Sequence, residues 1–578
     1  AATRNASRRV VRCAARGNQT RARNELSMRK PEYFRSGLGA PVLALTAVGG
    51  LYYLYKRGQE KRSRVFIEPE DRKKVVILGS GWAAVNLLSN INTDAYEVTM
   101  VSPNNYFLFT PLLPSAVVGT LQPSSIIQPA RRFYKDVRES RVKFFEAACT
   151  SIDPEAKVVQ CKDDSPIVGE KSTFELDYDY LVVAVGSTPN TFNTKGVYEN
   201  AYFVKTIEDA RRLRNHILDC IETANLPCTS EAERKRLLHF VIVGGGPTGV
   251  ETAAEINDFM EEDISRYYPA LKDDIKVSLI QSGDHLLNTY SEAISIKTKD
   301  AFERQNINVI FNSRVVSVDE KEITVMDKQT KENYPLPYGT CVWSTGVSLN
   351  PLAKELIASL PEQNNRRAIT TDKYMRTKGA PEIFAIGDCG TIEQEKMLAK
   401  VTDLFVEADT DKDGSLSLTE VKEFSQRIAD VYPQMRIHAK NIPTLFAKHD
   451  TNSDEVLSLD EFKELLKEID QGLTTLPATA QVATQQGKYL ATVFNKHLHT
   501  TNDLSSAEAF QYNHMGSFAY IGKNDAVMDL KQGAFSGFVT WFMWRSAYIT
   551  KQYSLSNMAS MAFDWTKVLI FGRDISRQ

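Results

Sequence analysis

With 578 residues, 42% hydrophobic and 25% charged, the chain has ordinary globular composition and the length for several domains. Its net charge of −2 supplies no basic field and argues against a nucleic-acid partner. Cys13, Cys149, Cys161, Cys220, Cys228, Cys341 and Cys389 form no C-x-x-C pair, which excludes a thioredoxin-type dithiol and a zinc ribbon and predicts reduced, structural thiols without thiol chemistry.

Residues 1–37 begin with an arginine-rich stretch, 1–30, whose one acid is Glu25. This is the composition of a mitochondrial-type presequence, with a disordered basic arm as the alternative. Residues 38–64 join the uncharged run LGAPVLALTAVGGLYYLY to the basic flank Lys56, Arg57, Lys61, Arg62 and Arg64. The run lies at the lower edge of a spanning length, so spanning and interfacial readings both stand. KKVVILGSGWAAVNLL (73–88) then reads as strand, glycine turn and helix, and YEVTMVS (96–102) as the next strand. YLVVAV (180–185) is a strand running into Gly186. A second strand–turn–helix opens at HFVIVGGGPTGVETAAEI (239–256), followed by strands KVSLIQS (276–282), CVWST (341–345) running into Gly346, and IFAIGD (383–388). The segment 396–470 breaks this rhythm with helices and charged loops. LPATAQVATQQGKYLATVF (476–494) is an amphipathic helix, and 533–578 reads as an aromatic, helical tail.

Gly79-Ser80-Gly81-Trp82-Ala83-Ala84 and Gly244-Gly245-Gly246-Pro247-Thr248-Gly249 each place the first glycine at a tight turn, the second beside a pyrophosphate, and a small third residue where helix and strand pack. Two such turns in the right context are a strong signal for two dinucleotides. Gly387-Asp388 after a strand suits a second flavin contact, the aspartate reaching a ribityl hydroxyl. A flavin chain running 72–205, interrupted by a nicotinamide domain and returning after 346, is the two-dinucleotide-domain flavoprotein plan. At the strand ends, where an acid normally takes ribose hydroxyls, stand Ser102 and Gln281. A neutral Gln281 removes the repulsion of a 2′-phosphate and offers amide donors, favouring NADPH or dual use, although Asp284 keeps some repulsion and no nearby Arg supplies a clamp.

DTDKDGSLSLTE (409–420) has calcium-loop spacing: side-chain oxygens from Asp409, Asp411 and Asp413, the Ser415 carbonyl, a water-mediated contact from Ser417, bidentate Glu420, and Gly414 at the sharp turn. A second copy offers Asp450, Asn452, Asp454, Val456, Ser458 and Glu461, but Glu455 replaces the glycine, which costs roughly 1–2 kcal/mol in a left-handed conformation. Calcium binding there and a purely structural pairing of Leu457 with Leu416 are both open.

VSPNNYFLFTPLLPSAVVGT (101–120), VIVGGGPTGVETAAE (241–255), FAIGDC (384–389) and AQVATQQGKYLA (480–491) resemble the type II NAD(P)H:quinone oxidoreductases, or alternative NADH dehydrogenases. The calcium insertion resembles their EF-hand-containing external mitochondrial subgroup. The resemblance implies a membrane-bound FAD enzyme that reduces quinone without pumping protons. It implies flavin contacts at Gly79, Ser80, Gly81, Ala84 and Asp388, and nucleotide contacts at Gly244, Gly246, Gly249 and Gln281. It further implies Glu251 near the nicotinamide ring and quinone-site glutamines at Gln481 and Gln485. A macrodipole-stabilised glutamate and ordinary helix-face amides are the simpler readings of those last three.

The expected architecture is α/β, with two Rossmann-like dinucleotide-binding domains of the flavoprotein disulfide-reductase-like plan: 72–237 for FAD, 238–345 for NAD(P)H, and 346–395 for the FAD return. The inserted helical EF-hand domain takes 396–470, the FAD/quinone region 471–532, and the C-terminal membrane-binding helical region 533–578. In that last region Phe535, Phe538, Val539, Phe542 and Ile549 form an apolar helix face with Trp541 and Trp544 near the interface, and Met558, Met561, Ala562, Trp565, Val568 and Leu569 repeat it. Arg545 breaks the run, so the tail should lie on a bilayer rather than cross it; a buried hairpin or the interface of an expected homodimer is the alternative. The reading is a calcium-regulated FAD enzyme passing electrons from NADPH or NADH to ubiquinone at the mitochondrial inner membrane, on the intermembrane-space face. A calcium-binding flavoprotein or scaffold is the alternative.

Overall fold

The structure is a computed structural model, and it describes residues 65–134, 142–167, 169–393, 397–428, 435, 441–471, 476–499, 503–530 and 533–577. The presequence and the hydrophobic segment expected over 1–64 lie outside the described residues. The first sheet is built around five parallel strands in the order Ala380–Ala385, Tyr180–Val183, Lys73–Leu78, Tyr96–Ser102 and Val142–Glu146. The central strands Lys73–Leu78 and Tyr180–Val183 run through Val, Ile and Leu and are buried on both faces, whereas the outer strand Val142–Glu146 alternates with exposed residues. Ala380–Ala385 comes from the far side of the sequence, yet Phe384 pairs with Val182. The chain therefore leaves this sheet and returns to it, as expected for an interrupted domain.

The interruption is a second parallel sheet, ordered Asn308–Ile310, Lys276–Ile280, His239–Val243 and Thr340–Trp343. The two crossings between the sheets run side by side, since Ser187–Pro189 pairs antiparallel with Val347–Leu349. Two antiparallel flaps, Ala148–Asp153/Val158–Lys162/Thr173–Asp177 and Ser313–Val318/Glu322–Asp327/Asn333–Pro337, were not expected from the sequence.

The calcium segment has a hydrophobic core of its own, with Phe405, Phe424, Phe446 and Phe462 buried together. Its two ends are tied: the Asp470 carboxylate accepts the backbone N–H groups of Met397 at 3.2 Å and Leu398 at 2.9 Å. The following helix spans Ala480–Val493 rather than 476–494, because Thr479 caps it by accepting the Val482 N–H.

The tail differs from the all-helical expectation. Gly533–Gly537 is a strand that completes a three-stranded sheet with Ser517–Gly522 and Asp525–Leu530, so Phe535 belongs to a strand. Helices Phe538–Thr550 and Leu555–Phe571 follow. They are apolar on both sides, so neither has the single apolar face that the sequence predicts. Trp541, Trp544, Ile549, Met558, Met561 and Trp565 turn into the core, whereas Val539 (71% exposed), Phe563 (68%) and Phe571 (70%) face outward with Phe538, Met543 and Leu569. Arg545 does not mark a water-facing edge: its guanidinium lies 4.0 Å from the Trp541 ring centre and 4.7 Å from that of Trp565. No helix among the described residues is long and apolar enough to cross a membrane.

Candidate active site

Each glycine turn connects a buried parallel strand to a helix whose N-terminus carries no side-chain cap. Gly79 and Gly244 adopt φ of +109° and +114°, a conformation that side-chain-bearing residues avoid. Gly81 and Gly246 open onto free space, with nothing within 4 Å of a Cβ placed there. Backbone donors and unopposed helix N-termini thus face two open cradles, the arrangement that holds a pyrophosphate. The third positions differ. Ala84 is fully buried, while a Cβ on Gly249 would lie 1.8 Å from the Gly244 carbonyl oxygen.

Behind the first cradle, Gly387 (φ +75°) sits between Ala83 and Ala483. Its N–H donates to Oε1 of Gln486 at 2.7 Å. The helix Ala480–Val493 crosses the cradle helix closely enough that a Cβ on Gly487 would meet the Ala83 carbonyl oxygen at 2.3 Å. Gln486 and Gly487 stand inside the quoted AQVATQQGKYLA motif, but periodicity could not tell which face they occupy. Asp388 accepts from the Ser187 hydroxyl at 2.9 Å, with Lys205 Nζ 3.8 Å from the same carboxylate oxygen. Gly186 and Gly346 lie at the two crossings, each with positive φ. The hydroxyls of Ser80 and Ser102 are spent inward: Ser102 donates to Ser80 at 2.9 Å, and Ser80 donates to the Tyr106 carbonyl at 2.8 Å. They fasten the turn to the NNYFLF segment.

Gln481 and Gln485 share a helix face, as their spacing required, and that face holds the loop 512–516. Oε1 of Gln481 accepts from the Tyr512 hydroxyl at 2.7 Å and the Met515 N–H at 3.0 Å. Gln485 accepts the Asn513 N–H at 2.9 Å and donates to its carbonyl at 2.8 Å. Both amides are committed to positioning that loop.

At the second cradle Gln281 is buried, and its amide is also committed. Oε1 accepts the Gly245 N–H at 3.1 Å, and Nε2 donates to the His285 carbonyl at 2.9 Å. This corrects the expectation of amide donors aimed at a phosphate. The side chain is still neutral, and its Nε2 donor to the His285 carbonyl is one that a glutamate would lack.

Glu251 is no exposed helix-end glutamate. It is 6% exposed and accepts the Tyr520 N–H at 3.1 Å. Burial, with Glu255 nearby, pushes its carboxyl up to about 8. The same helix face continues with Glu255 and Asp258, which sequence reasoning missed although they follow at helical spacing. Glu255 accepts from the Ser115 and Thr120 hydroxyls at 2.6 and 2.8 Å. Tyr520 donates to Asp258 at 2.5 Å, and burial followed by Glu262 raises the Asp258 carboxyl to about 7. Arg573 closes the cluster, donating to Glu262 at 2.8 Å and Asp263 at 2.9 Å, and so ties the tail to this helix.

In the first calcium loop, carboxylate oxygens of Asp409, Asp411 and Asp413 lie within 4.8 Å of one another. Oδ1 of Asp409 is buried without a hydrogen-bond partner, as is Oδ1 of Asp450 in the second loop. Those orphaned acceptors fit a cation in each loop. Ser415 donates its N–H and its hydroxyl to Asp413, at 2.8 and 2.9 Å. Ser417 and Ser458 cap the helices that follow, their hydroxyls donating to Glu420 and Glu461 at 2.9 and 2.8 Å. Burial works to raise the Glu420 carboxyl, but hydrogen bonds from Ser417 and Thr410 outweigh it and hold it at about 2. Hydrogen bonds from Ser458 and Thr451 hold Glu461 at about 2. Glu455 takes φ +64° where Gly414 takes +85°, so the second loop keeps the first loop's path despite its side chain. Asn452 and Val456 occupy corresponding places: Asn452 accepts the Asp454 N–H at 3.1 Å, and Val456 pairs with Ser417 beside the pairing of Leu416 with Leu457. The pairing and the cation-fitted loop therefore coexist.

Two parallel sheets, two uncapped glycine cradles and a chain that returns to the first sheet define a two-domain flavoprotein oxidoreductase. The family described as pyridine nucleotide-disulphide oxidoreductase matches residues 73–403, an EF-hand domain pair matches 398–467, and an NDH2 C-terminal domain matches 514–574. The chain is 40% identical to an external alternative NAD(P)H-ubiquinone oxidoreductase B1, mitochondrial, of Solanum tuberosum, covering 93% of this chain and 96% of that one. It is 34% identical to an external alternative NADH-ubiquinone oxidoreductase, mitochondrial, of Yarrowia lipolytica, covering 92% and 86%. Among solved structures it resembles NDH2 from Plasmodium falciparum in complex with NADH, with TM-score 0.77 and 33% identity over 87% of this chain and 100% of that one. The chain belongs to the external alternative NAD(P)H-ubiquinone oxidoreductases.

Proposed function

We propose that the protein passes electrons from NADPH or NADH to ubiquinone, with FAD in the first cradle, the nicotinamide nucleotide in the second, and calcium in both loops of the insertion. The observation that carries this is the junction at Gly387, where the flavin-side turn, the first cradle helix and the helix Ala480–Val493 meet through Gln486. Bound FAD supplies the two-electron carrier between nicotinamide and quinone. Gly79, Gly81, Ala84 and Asp388 would hold it, and Gly244, Gly246 and Gly249 would hold the nucleotide. Gln486 fixes the Gly387 turn, and Gln481 and Gln485 keep the loop 512–516 over the same helix. Glu251, raised into the neutral range, holds a proton where quinone reduction consumes two.

The outward apolar residues Phe538, Val539, Met543, Phe563 and Phe571 support a monotopic docking of the tail on a bilayer, where a lipid-dissolved quinone is reached. The mitochondrial names of the relatives and the basic 1–30 stretch support the mitochondrial inner membrane, on the intermembrane-space face. A homodimer is the expected assembly. Calcium acts through the insertion, whose tied ends at Asp470 lie between Gly387-Asp388 and Ala480. The test is ubiquinone reduction with NADH and with NADPH, each with calcium and with chelator. Four equal rates would overturn the calcium control, and no rate in any would overturn the activity.

A further inference from the structure

Cysteines without any motif spacing become neighbours in the fold. Cys149 and Cys161 are direct register partners on the antiparallel strands Ala148–Asp153 and Val158–Lys162. Opposed residues on such strands have Cα atoms about 4.5–5.5 Å apart, inside the roughly 4.4–6.8 Å window of a disulfide. Both are free thiols. Cys161 is 1% exposed and belongs to the hydrophobic cluster that includes Leu352 and Leu356 of the helix Pro351–Ser359, and Cys149 is half-buried at the edge of that cluster. The strand pairing slips at this point, between Cys149 and Ser151, which frees the backbone to adjust.

We propose that Cys149 and Cys161 are an oxidisable dithiol that a hydroperoxide closes to a cross-strand disulfide. Contact between the thiols pushes Cys161 below its ordinary value and Cys149 above it. The pair thus gives up one proton readily and holds the second. The oxidant reaches the pair through Cys149. The Cys149 proton first passes to the Cys161 thiolate, the Cys149 thiolate attacks one peroxide oxygen, the O–O bond breaks, and the expelled hydroxide takes the Cys161 proton and leaves as water, giving a sulfenic acid at Cys149 and a thiolate at Cys161. Cys161 then attacks that sulfur, the S–S bond forms, the S–O bond breaks and water leaves. In sum, two thiols and one hydrogen peroxide give one disulfide and two waters. The closed form ties the flap strands together against the helix Pro351–Ser359 and leaves both nucleotide cradles untouched.

The test treats the full-length, FAD-loaded protein with hydrogen peroxide, blocks remaining thiols with iodoacetamide, and digests it with trypsin without reduction. Cleavage after Lys143, Lys157 and Lys162 separates the two cysteines onto peptides 144–157 and 158–162. The expected result is a linked pair of these peptides that dithiothreitol abolishes and that neither Cys149→Ser nor Cys161→Ser forms. The thermal midpoint should also rise on oxidation in the parent protein and in neither variant. Both peptides recovered singly alkylated, at a dose that oxidises the exposed Cys228, would overturn the proposal. So would a link from either cysteine to a different one.

Discussion

The two glycine cradles share a backbone path and differ in what stands behind them. The first spaces its helix far enough from the strand to bury Ala84, and it is backed by the helix Ala480–Val493 through Gln486 and Gly487. The second packs so tightly that only Gly249 fits, and it is backed by the buried acids Glu251, Glu255 and Asp258. The same anion-binding turn therefore stands in two settings. One cradle is backed by the helix that reaches Gly387 through Gln486, and the other by a helix on which burial raises the carboxyls of Glu251 and Asp258.

The largest expected effect comes from giving the second cradle the residue the first tolerates. Gly249→Ala forces a Cβ to 1.8 Å from the Gly244 carbonyl oxygen. It should lower kcat/KM for NAD(P)H roughly a hundredfold, about 3 kcal/mol, while bound flavin absorbance stays. Gly246→Ala, pointing into open space, should leave the fold intact and weaken nucleotide binding alone. Next, Gln486→Leu orphans the Gly387 N–H at a cost of about 1–3 kcal/mol. Released-flavin fluorescence on heating should appear at lower temperature, and Gln486→Glu, which keeps an acceptor, should restore it.

Glu251→Gln tests the acid side. The folded carboxyl titrates at about 8, against 4.5 ordinarily, so between those values the native state binds the extra proton. Stability from this group is therefore present below about pH 4.5 and is lost as pH rises toward 8. The variant should flatten that fall in denaturation midpoints, and quinone reduction should lose its dependence on a group near pH 8. The smallest effect is expected from Gln281→Glu. The added charge should shift the NADPH:NADH ratio of kcat/KM toward NADH by roughly tenfold, about 1.4 kcal/mol. Steady-state rates with each nucleotide measure it.

Much of the scaffold was legible because local rules dominate there. Strand Tyr96–Ser102 emerged with its expected bounds, and both glycine turns formed where strand, glycine and helix signals coincided. The calcium loops were equally local, down to the bridge between Leu416 and Leu457. What escaped depends on distant partners. The Gln281 amide serves its own turn, and Gln481 and Gln485 serve a loop some thirty residues on. Which of three glutamines faces the flavin turn follows from how two helices cross, and that is set by Gly487 against Ala83. Periodicity likewise could not separate inward Trp541 and Trp544 from outward Val539, since both sides of that helix are apolar. The pairing of Cys149 with Cys161 depends on strand register, which cysteine spacing does not encode.

The central claim is that one chain carries electrons from the second cradle through the first to a quinone. Its most direct test is an anaerobic titration of the purified protein, followed by flavin absorbance. The account predicts a yellow protein that NADPH or NADH bleaches and a short-chain ubiquinone then recolours. A colourless protein, or one that stays bleached when quinone is added, would contradict it.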